Sequence, residues 1–153
     1  MQAETQRMKS SSRIVVLTGI VLATFVSTGY ADDKDVVEYR EHIMNTLHEQ
    51  SEALGQILST SIPDDNTIAH LDTMALAASL ALKAFDAKVP GGEAKPVVWA
   101  DWPDFQKRMN EFAQKTAAAA KAAHDHGKDA GLAQLSDALT CKGCHDVYRQ
   151  EKK

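Results

Sequence analysis

Cys141-Lys142-Gly143-Cys144-His145 is the stretch on which the reading of this chain turns. C-x-x-C-H is the spacing of covalent c-type haem attachment: two thiols add across the two haem vinyl groups, and the neighbouring imidazole binds the iron. On a helix these three residues fall at i, i+3 and i+4, one stripe against which a macrocycle lies with its iron over His145. A strand would send them to opposite faces. Two other uses of a C-x-x-C pair are weaker. A thioredoxin-like dithiol belongs beside a βαβ pattern, and a structural zinc site needs four ligands, whereas these two cysteines are the chain's only ones. A reducible disulfide is the competing chemistry. The motif therefore predicts one covalent haem c on Cys141 and Cys144, with His145 as the proximal iron ligand, on a helical segment.

The N-terminal end agrees with that chemistry. Arg7, Lys9 and Arg13 precede an apolar run over 14–26, and the small residues Gly29 and Ala31 fit a cleavage site. Residues 1–31 read as a cleaved secretory signal peptide. The run is shorter than the roughly 20 residues that cross a bilayer, so no membrane span is expected in the mature form. Export together with C-x-x-C-H points to the periplasm, where an oxidising environment would otherwise close the thiols.

Residues 32–153 are then one ordinary domain. The whole chain carries a net charge of −4; removing three basic residues and one acidic residue with 1–31 takes it to −6. An acidic protein is a poor binder of phosphate backbones, so no nucleic-acid partner is expected. Transient encounters with periplasmic redox proteins bearing basic patches are favoured instead.

Hydrophobic periodicity marks four helices. The first covers about 33–59, with Val36, Val37, Arg40, Ile43, Met44, Leu47, Leu54, Ile57 and Leu58 at helical spacing. Pro63 breaks it. The second starts near Asn66, carries Ile68, Leu71, Met74, Ala75, Ala78, Leu82 and Phe85, and ends at Val89-Pro90-Gly91-Gly92. The stretch 88–100 reads as irregular. Asp101 with Pro103 opens a third helix that runs through Phe105, Met109, Phe112 and 117–120 to Gly127. A fourth starts near Asp129, presents Leu132, Leu135 and Leu139, and continues unbroken through the haem motif to about Glu151. Short connections favour antiparallel neighbours, so the predicted fold is all-α: an antiparallel up-down four-helix bundle with haem c near one end.

That topology puts the start of the first helix beside the end of the last. Met44 and His145 then lie at similar heights at one end of the bundle. A methionine thioether there would give His/Met ligation, although Met74 and Met109 are rivals by periodicity and a gap-filling role is open to all three. His42 and His48 lie on the more polar side of the helix. His124 and His126 flank Asp125 but do not share a helix face, so they read as a solvated helix end.

Tyr39-Arg40-Glu41-His42-Ile43-Met44, Val98-Trp99-Ala100-Asp101 and Cys141-Lys142-Gly143-Cys144-His145-Asp146-Val147-Tyr148-Arg149 together resemble the class II c-type cytochromes, the cytochrome c′ family, over essentially all of 32–153. The resemblance implies a four-helix bundle, often dimeric through its first two helices. It also implies that the position four after the Tyr-Arg arginine faces the distal side of the iron. In five-coordinate, high-spin members that position is usually a non-ligating leucine, and in low-spin members of the c-556 type it is a methionine ligand. Met44 occupies it here, which implies a c-556-like member with Met44 as distal ligand. The same resemblance assigns Arg40, Trp99 and Arg149 to the haem environment, Arg40 through a propionate.

The expected function is a periplasmic electron carrier whose low-spin iron cycles between Fe(II) and Fe(III) with His145 and Met44 bound, and with no catalytic residues. The alternative is a five-coordinate, high-spin protein that binds NO or CO, which requires Met44 to stay off the iron.

Overall fold

The computed structural model describes residues 32–60, 62–139 and 141–151. The expected signal segment, 1–31, lies outside them. The long helix α1 (Asp33–Ser59) starts on the side chain of Asp32, which accepts from the Asp35 amide at 2.9 Å. Such a cap satisfies one of the first-turn amides that has no helical partner. Asn66 precedes α2 (Thr67–Ala81), whose last turn tightens into a 3-10 segment, Leu82–Phe85. Then come α3 (Val97–Ala100), α4 (Trp102–His126), α5 (Lys128–Ser136) and α6 (Cys141–Tyr148). Gly127, at φ 91°, supplies the backbone turn that ends α4, as its position in the sequence predicts.

Cross-helix pairs fix the directions. Gln50 of α1 pairs with His70 of α2 (2.7 Å), and further back along α1 Arg40 lies over Phe85, at the far end of α2. Asp72 meets His124, while Phe85 meets Phe105. Lys115 reaches the carbonyl of Asp137, while Asp104 takes the hydroxyl of Tyr148. Each pair set advances in opposite directions along its two helices, so successive helices run antiparallel and form the predicted four-helix bundle.

The core is filled mainly by small side chains from α2 and α4. Ala77, Ala78 and Ala81 of α2 and Ala119, Ala120 and Ala123 of α4 are buried in one cluster with Leu54, Leu71, Met74, Val98, Phe105 and Met109. The stretch from Thr67 to Phe85 is long and apolar enough to cross a membrane by length and composition, but Leu71, Met74, Ala81 and Phe85 are buried inside the bundle. At Gly131 an added Cβ would meet Leu71 Cδ1 at 2.8 Å and the Ala119 carbonyl at 3.0 Å, so glycine is what lets α5 lie directly on α2 and α4.

Three expectations need correction. The last helix is not continuous. It breaks after Ser136, where the Ala138 amide turns back to the Leu135 carbonyl (2.8 Å), and the Ser136-Asp137 pair, whose side chains compete with the helical backbone, marks the break. The stretch 88–100 is not wholly irregular, because Pro96 opens the single turn of α3, too short to show periodicity. Finally, α1 and α6 do not pack along each other. Among the described residues α6 approaches α3, and the loop 88–96 spans the distance to α1.

Candidate functional site

The end of the bundle that carries Cys144 and His145 is organised by a layer of rings. Arg40 of α1 lies over Phe85 (5.0 Å), Phe85 packs on Phe105 (4.8 Å), and Phe105 meets the edge of Tyr148 on α6 (5.1 Å). One helical turn inward from each of these residues stand Met44 on α1, Ala81 on α2, Met109 on α4 and Cys144 on α6. Helical geometry thus brings Met44 and the attachment motif to one level of the bundle, as the sequence predicts. Met74 and Met109 are only 1% and 6% exposed and serve as core, whereas Met44 is half-buried at the edge of that core.

Within α6, Cys141 is exposed, while Cys144 and His145 are half-buried. The two sulfurs are not bonded to each other, and burial pushes the Cys144 thiol above its ordinary value. Burial, then the Arg149 guanidinium, pushes His145 below its ordinary value, with Glu93 and Asp146 opposing and His48 adding to the depression. A neutral imidazole is the form that binds metal. The donor set fits haem c: two cysteines and an imidazole on one helical stripe, with Cys144 packed against the apolar core. Cys141 and Cys144 would hold the group, and His145 would be its proximal donor.

The remaining expected residues make the following contacts. Arg40 is 3% exposed, and burial pushes its guanidinium below its ordinary value. Nη1 donates to the Val89 carbonyl (3.0 Å) and Nη2 to the Gly91 carbonyl (2.8 Å), while the rings of Phe85 and Trp99 cover it. One N–H on each terminal nitrogen is thus used by the loop, in addition to the propionate role that the family resemblance implies for Arg40. Trp99 is half-buried and donates its indole N–H to the Phe85 carbonyl (3.2 Å), which aims its ring at Arg40. Arg149 is exposed just beyond α6. Its amide bonds the His145 carbonyl (2.9 Å), and its Nε lies 3.9 Å from Glu93. His42 and His48 are exposed, the latter 4.0 Å from Glu52. His124 bonds the Asp72 carboxylate on α2 (2.9 Å).

The sequence reading missed Tyr148 and Asp104. Tyr148, 4% exposed, donates to Asp104 Oδ2 at 2.6 Å, and Arg108 donates to the same oxygen at 2.6 Å. These bonds tie α6 to α4 next to Cys144. A buried phenol four residues after Cys144 on the same stripe was the available signal.

A helical bundle with a C-x-x-C-H helix at one end defines a class: the class II c-type cytochromes, which carry covalent haem c. Residues 35–149 match the family model described as Cytochrome C′, and the chain belongs to the cytochrome c′ family. It is 31% identical over 129 residues to cytochrome c′ of Pararhodospirillum photometricum, an alignment covering 78% of this chain and 100% of that protein. Among solved structures it resembles the spectroscopically validated ferric cytochrome c prime from Alcaligenes xylosoxidans, with a TM-score of 0.72 and 25% identity over 81% of this chain and 100% of that one. It likewise resembles the nitric oxide complex of a mutant of the Alcaligenes protein (TM-score 0.71, 25% identity, 80% and 100% covered). Its cofactor is haem c with iron. These relatives support the family and not the narrower low-spin, c-556-like subgroup expected from Met44.

Proposed function

We propose that this chain is a haem c protein of the periplasm that takes nitric oxide or carbon monoxide on the face of the site that looks toward α1. When bound, haem c supplies an iron centre that accepts axial ligands and exchanges one electron. The chain's own residues do the rest. Cys141 and Cys144 tether the group to α6, and His145 occupies the proximal side. The observation that carries the reading is the apolar character of the layer opposite: Met44 and Ala81 line it with Ile43 and Leu47 alongside, while His42 and His48 are exposed. A small uncharged gas suits such a face. General acid–base chemistry suits it less, because among the described residues the histidines of this stretch of α1, His42 and His48, are exposed and not part of that apolar layer. The nitric oxide complex of the Alcaligenes relative points the same way.

A second reading is favoured by one residue. Met44 stands at the level of Cys144, where a thioether held against the iron would close the distal side and leave a low-spin electron carrier that meets redox partners transiently. The absorption spectrum of the reduced protein separates the two. Gas binding predicts a spectrum that changes when carbon monoxide is added, and Met44→Leu should preserve that response or strengthen it. A low-spin spectrum indifferent to carbon monoxide, becoming responsive only in Met44→Leu, overturns the first reading and establishes the second.

A further inference from the structure

We infer that the loop 88–96 is a strap through which Arg40 on α1 sets the position of α6, and with it the placement of His145. The inference deepens the haem site proposed above and holds whichever role Met44 plays.

At the α1 end the strap is gripped by a guanidinium. Arg40 binds the Val89 and Gly91 carbonyls at 3.0 and 2.8 Å, and Phe85 and Trp99 lie against it at 5.0 and 5.3 Å. A planar, five-donor group is suited to holding two carbonyls at once, and a lysine is not. The loop presents those carbonyls because Gly91 (φ 141°) and Gly92 (φ 57°) turn it tightly over α1. An added Cβ would reach Val37 Cγ2 at 2.9 Å from Gly91, and Val37 Cγ1 at 3.0 Å and the Glu41 carboxylate from Gly92.

At the α6 end the strap is held by backbone. The Lys95 amide donates to the Tyr148 carbonyl (2.9 Å), and the Gln150 amide donates to the Glu93 carbonyl (2.7 Å). Ala94 bridges Arg149, and Lys95 Nζ reaches the Asp146 carbonyl (2.9 Å). All of these attach to the last turn of α6 or the residues just past it, within one to five residues of His145. Because α1 and α6 do not pack along each other, this chain of bonds is the direct tie from the helix of Met44 to the helix of His145. Arg40 is thus a positioning residue that acts on the proximal donor from the opposite helix.

The test uses the haem-containing protein and compares Arg40→Met, Arg40→Lys and Gly92→Ala with the wild type. Backbone amide exchange is followed at Lys95 and Gln150, which Arg40 does not touch, with Ala119 and Ala123 in α4 as the internal control. Arg40→Met should speed exchange at Lys95 and Gln150 by about tenfold or more, leave the α4 amides unchanged and shift the haem absorption bands. Arg40→Lys should fall between it and the wild type. If Arg40→Met does not fold, Gly92→Ala distorts the strap without altering Arg40 and should loosen the same two amides. Faster exchange confined to 89–92, or Gly92→Ala with unchanged Lys95 and Gln150 amides and an unchanged spectrum, overturns the inference. Neither result depends on whether the protein binds carbon monoxide.

Discussion

Replacing Tyr148 with phenylalanine removes one oxygen atom and tests how the haem-bearing helix is fastened to the bundle. The ring contact with Phe105 is retained, so the perturbation is confined to the hydrogen bond with Asp104. Bonds to charged groups contribute about 1.5–3 kcal/mol. Asp104 keeps its bond to Arg108, so its carboxylate is not stranded, and the lower end applies: a loss of about 1.5 kcal/mol for Tyr148→Phe. The pH dependence makes the test specific. Burial, and then Asp104, push the phenol up to about 12 from an ordinary 10, while Tyr148, ahead of Arg108, holds Asp104 below the usual carboxylate range. A phenol with a raised folded-state value lends stability that is fully present below about pH 10 and lost as pH rises toward 12. A carboxylate with a lowered value lends stability that is present above its unfolded value and lost as pH falls through the folded one. The difference between wild type and variant should therefore be level across neutral pH and shrink at both extremes. Urea unfolding at a series of pH values, followed by circular dichroism, measures it. An unchanged midpoint at pH 7, or a difference that does not narrow between pH 10 and 12, refutes the tether.

Two further substitutions check the packing and the attachment. Gly131→Ala places a methyl 2.5 Å from Ala123 Cβ and 3.0 Å from the Ala119 carbonyl; a helical carbonyl cannot yield freely, so a loss of about 1–3 kcal/mol is expected in urea unfolding, and an unchanged midpoint would contradict the close crossing of α5 on α4. Cys141→Ala and Cys144→Ala should each leave one thioether, and the double variant none, so mass spectrometry after acid-acetone extraction should find the haem mass on both single variants and on the double variant not at all.

The helices and their order could be read from the sequence because each is long, carries a buried stripe at helical spacing and ends at a residue that punctuates for a stated reason: Pro63 after α1, Gly127 after α4. The attachment residues could be read because C-x-x-C-H needs no tertiary context. What escaped was set by tertiary contacts or by elements too short for periodicity. α3 is one turn. The interruption between α5 and α6 falls inside a pattern, Leu132, Leu135 and Leu139, that continues in helical phase across it, and Leu139 is 40% exposed although its spacing assigns it to the core. Tyr148 reads as one more apolar residue until Asp104 is seen across the bundle.

Arg40 shows where such reading stops. Its place one turn before Met44 correctly put it on the inward stripe, and an arginine there invites an anionic ligand as the reason. The structure supplies another reason, two carbonyls from a loop 49 and 51 residues away, which no local pattern contains. The same loop reconciles two facts that otherwise conflict: Met44 and Cys144 share a level of the bundle, yet α1 and α6 do not pack along each other. A site that admits a flat macrocycle between two helices must hold them apart along their length and still fix their spacing at one end. A strap anchored on a buried guanidinium meets both demands, because it spans the distance without filling it.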